Sequence, residues 1–152
     1  RIFKGEAENN RISLTLEVPK NHLVVFADPE ALVKICSNLI SNALKYAETF
    51  AAVSLDQIQA DDEHFRIRFS NDGKGIPKEY RDRIFAPFFR LHSKDKPGTG
   101  IGLSLAKSLT ELHNGSLELS IGEDNLVIFE LTLPMRQQFE FNLSSWKKIK
   151  QS

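Results

Sequence analysis

Three short segments of the chain carry residue types that suit the recognition of phosphate, metal and base. They are residues 38–46, 71–76 and 98–103, with the sequences NLISNALKY, NDGKGI and GTGIGL. Each segment alone is weak evidence, because a glycine-rich turn or two asparagines on a helix often arise by chance. Their occurrence in this order predicts a nucleotide site.

The first segment lies on a predicted helix that brings three polar side chains together. At about 100° per residue, Asn38, Asn42 and Lys45 fall within an arc of about 60° that borders the apolar face. A carboxamide oxygen there can ligate a hard divalent cation, and Lys45 can reach a phosphate bound to the same cation. Asn and Lys on a helix more often form only a solvated face, and this segment by itself favours that interpretation.

Asp72 directly follows a predicted strand and precedes glycines at 73 and 75, where the backbone can approach another group closely. An ordinary Asx turn is one interpretation, since Asp-Gly is among the commonest turn dipeptides. The functional interpretation places the carboxylate at the floor of a pocket. There it would accept a hydrogen bond from the amino group of adenine and repel the carbonyl oxygen of guanine.

Glycines alternate at 98, 100 and 102 immediately before a second predicted helix. Backbone N–H groups and the positive end of that helix can converge on an anion. The pattern differs from the dinucleotide fingerprint, because Leu103 stands where its third glycine would fall. A Walker loop is also excluded, since the chain contains no Gly-Lys-Ser or Gly-Lys-Thr.

The segment between Gly75 and Gly98 exceeds the limit of about 12–15 residues for connections without structure, which is typical of a lid over a site. It contains a predicted short helix after Pro77 and then the sequence IFAPFFR at 84–90. Its phenylalanines suit either the core or a hydrophobic latch. Arg90 is free in a lid to reach a terminal phosphate, and His92 and Lys94 are weaker candidates for that contact.

Length and charge limit the classes of protein that the chain can represent. Its 152 residues, 41% hydrophobic, suit one core, and the net charge of zero provides no field for nucleic acid or anionic membrane. We expect one domain at 1–134 and a C-terminal extension or linker at 135–152. The single cysteine, Cys36, excludes an internal disulfide and a cysteine-cluster metal site, and we expect it to be a small buried hydrophobe. No transmembrane or signal segment is visible, which favours a cytoplasmic setting, and the start at Arg1 suggests a fragment.

Hydrophobic periodicity predicts an α+β fold, a two-layer α/β sandwich with helices on one face of a mostly antiparallel mixed sheet. A capping Asp28 and a proline at 29 open the first helix, which should end near Ala47. Residues 1–10 show no clear periodicity. The predicted strands are 12–18, 23–26, 50–58, 64–70, 117–121 and 126–133, and the second helix runs from 102 to about 113.

These residues resemble the catalytic and ATP-binding domain of sensor histidine kinases, in the superfamily that also holds gyrase, the mismatch-repair ATPases and the heat-shock chaperone ATPase. The resemblance covers roughly residues 3–134. Residues 38–46 are similar to the N box of the family, 71–76 to its first G box, 85–90 to its F box and 98–103 to its second G box. It implies ATP and Mg²⁺ as cofactors and an ATP lid.

The resemblance also implies a role for each residue. Asn42 would be the magnesium ligand, Lys45 a phosphate contact, Tyr46 a neighbour of the base and Asp72 the partner of the adenine amino group, while the backbone of the second G box would hold phosphates. The implied catalytic residues are Asn38, Asn42, Lys45 and Arg90. The implied ATP-binding residues are Asn38, Asn42, Lys45, Tyr46, Asp72, Gly73, Gly75, Ile76, Phe88, Arg90, Gly98, Thr99, Gly100, Ile101, Gly102 and Leu103.

By the same resemblance, the reaction is transfer of the ATP γ-phosphoryl group to a histidine, with Arg90 stabilising the developing charge. ATP hydrolases of the superfamily carry a glutamate one turn before the metal asparagine, and this chain has Asn38 there. Because a carboxamide cannot take a proton from water, transfer is favoured over hydrolysis.

Two features depart from the pattern of the family. Residues 125–127 read NLV where a Gly-Thr pair is usual, and none of His22, His64, His92 and His113 lies in the sequence context of the phosphoacceptor. The acceptor is therefore expected on separate dimerisation helices of the same parent kinase, with a response regulator receiver domain as the second partner. A degenerate binding module and a serine kinase of the anti-sigma type remain alternatives, although the F box argues against the second.

Overall fold

Helices and strands alternate along the chain in a computed structural model that describes residues 2–20, 23–58, 63–89 and 100–136. None of the helices in these ranges is long and apolar enough to cross a membrane. The helices are α1 (Ile2–Asn9), α2 (Pro29–Tyr46) and α3 (Gly102–Leu112), with 3₁₀ turns at Lys78–Tyr80 and Glu123–Asn125. The strands are β1 (Ser13–Glu17), β2 (Phe50–Gln57), β3 (His64–Asn71), β4 (Ser116–Ile121) and β5 (Val127–Pro134).

The five strands form one sheet in the order β1-β2-β3-β5-β4. β1 pairs with β2 in parallel and the other pairs are antiparallel. α2 and α3 pack together on one face, while Arg66 on the other face bonds to Asp56 at 2.7 Å and lies 3.8 Å from Glu130. The predicted α+β class, with helices on one face of a mixed and mostly antiparallel sheet, is confirmed.

α2 begins where the sequence predicts. The Asp28 side chain accepts hydrogen bonds from the N–H groups of Glu30 at 3.0 Å and Ala31 at 3.4 Å, and Pro29 is the first helical residue. This cap satisfies donors that the first turn otherwise leaves free. The buried face of the helix consists of Ala31, Ile35, Leu39, Ala43 and Leu44.

β3 presents every second residue to the helices. Phe65, Ile67 and Phe69 are buried, and the same alternation continues one step further to Asn71, which is 1% exposed. The paired strand β5 alternates in the same way. The core therefore lies between this face of the sheet and the buried sides of α2 and α3, and its last inward residue on β3 is polar.

One prediction about the N-terminal part is wrong, and this part also contains a helix that the sequence does not predict. Residues 23–26 form no strand, since only Phe26 makes an isolated bridge, to Arg136, and both Val24 and Phe26 are exposed. β1 is the edge strand of the sheet and pairs with β2 in parallel. Residues 23–26 belong to the connection that leads from this edge to α2. Residues 2–9, which show no clear periodicity, form α1, which buries Ala7 against α2 and β2.

Asp72 ties the end of β3 to the start of β2. Its carboxylate accepts hydrogen bonds from the N–H groups of Glu48 at 3.0 Å, Thr49 at 2.9 Å and Phe50 at 3.0 Å, and from the Thr49 hydroxyl. Burial disfavours the charged form, but these donors together outweigh it and lower the pKa of Asp72 to about 2.

Cys36 behaves as the small hydrophobe that the sequence predicts. It is half-buried on α2 and packs against the main core. Burial raises the pKa of its thiol to about 11. The thiol is therefore protonated at neutral pH, and its contribution is packing rather than reactivity.

Leu39 and Val33 provide a matched test of the helix layer, because one is buried and the other exposed on the same helix, α2. Leu39 is 0% exposed and Val33 is 63% exposed. We expect Leu39→Ala to lower the free energy of unfolding by about 2–5 kcal/mol, because it leaves a cavity in the core. Val33→Ala should change it by no more than about 0.5 kcal/mol. Urea unfolding monitors both, and equal losses would contradict the described packing.

Removal of the Asp72 carboxylate should cost stability in a manner that depends on pH. We expect Asp72→Ala to lower the free energy of unfolding at pH 7 by about 1 kcal/mol, a low value because the group is only half-buried and solvent screens its charge. The pKa is lower in the folded chain than the ordinary value of 3.8. The stabilisation is therefore complete above that value and is lost as the pH falls towards about 2.

Urea unfolding at pH 7 and at steps down to pH 3 measures this difference between the wild type and Asp72→Ala. The gap between the two proteins should narrow below about pH 4. A gap that stays constant over this range would show that the ionised carboxylate does not hold the start of β2.

Candidate nucleotide-binding site

A cavity of about 230 Å³ opens between the C-terminal half of α2, the turn after β3 and the start of α3. Ala47 and Glu48 lie in its lining beside α2, and Lys74 lies there in the turn. Its walls are largely apolar, which suits a flat aromatic ligand. The apolar side chains are Ile76, Ile84, Phe89, Leu103, Val127 and Phe129.

α2 contributes two of its predicted site residues to this cavity. Asn42 and Tyr46 line it. Asn38, one turn earlier, lies beside the start of α3, where its Oδ1 is 3.4 Å from the position that a Cβ on Gly102 would take. Asn38 thus lies beside Gly102, and Asn42 lines the cavity that Leu103 also lines.

Lys45 lies on another side of the helix. It lines a second cavity between α1 and α2, together with Glu6, and its Nζ is 5.4 Å from the centre of the Tyr46 ring. It is absent from the lining of the first cavity. The sequence predicts that the polar residues share an arc of about 60°. Asn42 and Lys45 nevertheless face different cavities.

The turn after β3 forms the floor of the first cavity. Asn71 lines it, and its Oδ1 accepts a hydrogen bond from the Gly73 N–H at 2.9 Å. A Cβ on Gly73 would overlap the Tyr46 carbonyl oxygen, so only glycine fits between the turn and α2. Gly75, with a φ of +81°, and Ile76 complete the lining on this side.

The structure turns the Asp72 side chain away from this cavity. Its carboxylate is occupied by the backbone of residues 48–50 and is absent from the lining. Successive residues of a strand point to opposite faces, so Asn71 and Asp72 cannot both face the helices. The side chain at the floor of the pocket is Asn71, which corrects the placement expected for Asp72.

The predicted lid is described as far as Phe89, and Phe88 in it contacts Gly100 of the second G box. The Phe88 N–H donates to the Gly100 carbonyl at 2.9 Å, and Gly100, with a φ of +75°, leaves no room for a side chain against the Phe88 backbone. Phe88 itself is 71% exposed and lies outside the lining, whereas Phe89 lies in it and packs 5.8 Å from the Tyr80 ring. The candidates Arg90, His92, Lys94, Gly98 and Thr99 lie outside the described residues.

α3 begins at the edge of the cavity. Gly102 is its first residue and Leu103 lines the cavity, while the exposed Ile101 accepts a hydrogen bond from the Ser104 hydroxyl. The first N–H groups of a helix have no partner within it, and the helix dipole makes this end positive. An anion beside Asn38 and Gly102 would meet both effects.

The residues fit a magnesium ion that arrives with a phosphate ligand. In the described part of the chain, no group of three His, Cys, Asp or Glu side chains could hold a metal. Mg²⁺ in nucleotide sites usually keeps several waters and takes only one or two protein ligands besides phosphate oxygens. Asn42, a half-buried oxygen donor in the lining, meets that requirement.

Comparison with known proteins agrees with this arrangement. Residues 27–137 match the family model described as histidine kinase-, DNA gyrase B- and HSP90-like ATPase. The chain is 33% identical over 136 residues to the sensor histidine kinase TmoS of Ectopseudomonas mendocina, covering 88% of this chain and 14% of that protein. It is 30% identical to the adaptive-response sensory kinase SasA of Rippkaea orientalis, covering 88% of this chain and 34% of that protein. It thus spans about a third or less of these relatives.

Solved structures extend the similarity to the fold. The catalytic domain of histidine kinase ThkA matches with a TM-score of 0.75 and 25% identity, covering 89% of this chain and 88% of that chain. The mycobacterial sensor histidine kinase MprB matches with a TM-score of 0.71 and 26% identity, covering 90% and 95%. With the family model, the relatives and the cavity in agreement, the chain belongs to the histidine kinase-, DNA gyrase B- and HSP90-like ATPases, as an ATP-binding catalytic domain of the sensor histidine kinase type.

Proposed function

We propose that this chain binds ATP with Mg²⁺ in the cavity beside α2 and transfers the γ-phosphoryl group to a histidine on separate dimerisation helices of its parent kinase. A response regulator receiver domain then takes the phosphoryl group. One observation carries the proposal: an apolar cavity has Asn71 at its floor, Asn42 on one wall and the start of α3 at its edge. The apolar walls and Asn71 suit the base, Asn42 suits a metal bound to phosphate, and the start of α3 suits the negative charge of the phosphates.

The base is placed against the apolar walls. Ile76, Leu103 and Phe129 offer flat or branched surfaces, and Asn71 is the buried polar group that can hydrogen-bond the edge of a ring. A pocket with mostly apolar walls and a few polar groups gains affinity from burial and orientation from the polar contacts. Asn71 would thus make the contact with the base that the sequence predicts for Asp72.

The phosphates are placed towards the start of α3. The N–H groups of its first turn and its positive end attract negative charge, and Asn38 and Asn42 lie on the facing side of α2. Asn42 would hold magnesium through its carboxamide oxygen. Bound magnesium supplies neutralisation of the charge that develops on the phosphates.

Transfer is favoured over hydrolysis by the side chain at position 38. Water attacks a phosphorus centre readily only when a group nearby takes its proton, and the carboxamide of Asn38 cannot do so. An incoming imidazole is itself the nucleophile and needs no such base. The domain is thereby suited to hold ATP until the acceptor histidine docks.

The similarity to sensor histidine kinases supports a proposal for the setting of the domain. We place it in the cytosol, as part of a membrane-anchored sensor in a two-component system, with no contact of its own to membrane or nucleic acid. The net charge of zero supports this, since neither partner would be drawn by a general field.

ATP analogue and Mg²⁺ together should protect the chain from heat. At a concentration about 100 times the Kd, AMPPNP should stabilise the fold by about 2.7 kcal/mol. Asn42→Ala should weaken binding of the magnesium complex by roughly tenfold or more while leaving metal-free binding nearly unchanged, because it removes only a metal ligand. Thermal unfolding with and without Mg²⁺ measures both effects.

The matched control for that substitution is Asn9→Ala on the exposed end of α1, which should keep the full magnesium dependence. Absence of protection of the wild type by AMPPNP with Mg²⁺ would refute nucleotide binding in this cavity. Equal loss in the presence and absence of Mg²⁺ would refute the metal role of Asn42.

Phosphoryl transfer should appear when the chain is mixed with the dimerisation helices of its parent and ATP labelled at the γ position. The label is expected on those helices in an acid-labile, alkali-stable form, as a phosphohistidine. A copy of the helices with its acceptor histidine changed to Ala is the control. Binding of ATP without any transfer would instead identify a degenerate module that only holds its partner helices.

A further inference from the structure

We propose that the cavity accepts guanine as well as adenine nucleotides, because the group that reads the base is the carboxamide of Asn71. The inference rests on the proposed function, in that the base of the nucleotide occupies this cavity. It concerns only which purine the pocket selects. Four features of Asn71 carry it: its burial, its hydrogen bond to Gly73, its neighbours in the sheet and its place in the lining.

Asn71 is held in one orientation by the turn that follows it. The Gly73 N–H is a donor and requires an acceptor, so the atom at 2.9 Å from it is the carboxamide oxygen. This bond uses one lone pair of Oδ1. The second lone pair and the two N–H groups of Nδ2 are left, and among the described residues Nδ2 has no hydrogen-bond partner.

The surroundings of Asn71 leave those groups only the cavity. The residue is 1% exposed and lines the cavity. Its partners in the two neighbouring strands, Ala51 on β2 and Val127 on β5, are apolar and buried. A buried amide without a partner is costly, so a ligand edge that satisfies Nδ2 gains that free energy.

A carboxamide and a carboxylate differ in the hydrogen-bonding groups that they exclude. A carboxylate only accepts hydrogen bonds, so it favours the amino group at C6 of adenine and repels the carbonyl oxygen at C6 of guanine. Asn71 offers both kinds of group, so that Oδ1 accepts from adenine and Nδ2 donates to guanine. The cavity also contains Glu48, an acceptor for the amino group at C2 that only guanine carries.

The experiment compares the Kd values of AMPPNP and GMPPNP with Mg²⁺, by calorimetry, on the 152-residue chain. For the wild type, the Kd for GMPPNP should lie within about tenfold of that for AMPPNP, a difference of no more than about 1.4 kcal/mol. Asn71→Asp keeps the shape and the acceptor for Gly73 but removes the donor. It should raise the ratio of the two Kd values to roughly 100 or more, by weakening GMPPNP binding.

Asn114→Asp is the control for the added negative charge, since this exposed residue at the far end of α3 adopts a φ of +60° that Asp tolerates. It should leave the ratio unchanged. The ratio of the two Kd values in the wild type requires no variant. It therefore still tests the inference if Asn71→Asp does not fold.

Tight binding of AMPPNP with GMPPNP more than 100-fold weaker in the wild type would overturn the inference and leave the proposed function intact. An Asn71→Asp protein with the wild-type ratio would also overturn it, because Asn71 would then not read the base. Absence of binding by either nucleotide would overturn the inference and the proposed function together.

Discussion

The cavity exists because the turn after β3 meets the end of α2 with no side chain between them. At Gly73 even a single methyl group would overlap the Tyr46 carbonyl oxygen, so the two backbones pack directly. This contact places Tyr46 in the lining of the cavity and brings the floor residue Asn71 close to the same helix. The apolar walls depend on it, since a larger residue at position 73 would push α2 away from the edge of the sheet.

The pleat of β3 then decides what faces the cavity and what faces away. Phe65, Ile67, Phe69 and Asn71 share the inner face, whereas Asp72 follows with the opposite parity and bonds the start of β2. The signal for this assignment was present in the sequence, because the alternation of the three apolar residues extends to 71 and not to 72. The charge of Asp72 and the glycine after it favour a functional interpretation of that residue. At a buried position, however, the alternation of the strand predicts the residue in the pocket better than charge does.

Much of the fold was predictable, because most elements carry their own local signals. The Asp28 cap, the alternation of β3 and β5, and the glycine at the start of α3 each fix an element without long-range information. α1 was missed because Ala7 and Phe3, which pack against α2, give too little periodicity in eight residues. Residues 23–26 have the composition of a strand, but whether a segment joins the sheet depends on a partner distant in sequence. Here β2 pairs with β1 and not with residues 23–26. Lys45 was placed correctly on the helix, yet only the packing of α1 shows which side of it faces the second cavity.

The exchange of roles between Asn71 and Asp72 also has an electrostatic reason. Position 71 is 1% exposed between Ala51 and Val127, where an ionised carboxylate would lose its hydration without a cation to compensate. Position 72 is at the surface, where four donors stabilise the charge. With a neutral amide at position 71 and the anion at position 72, the end of β3 packs under α2 without a buried charge. Recognition of the base at this floor then depends on the direction of hydrogen bonds and not on charge.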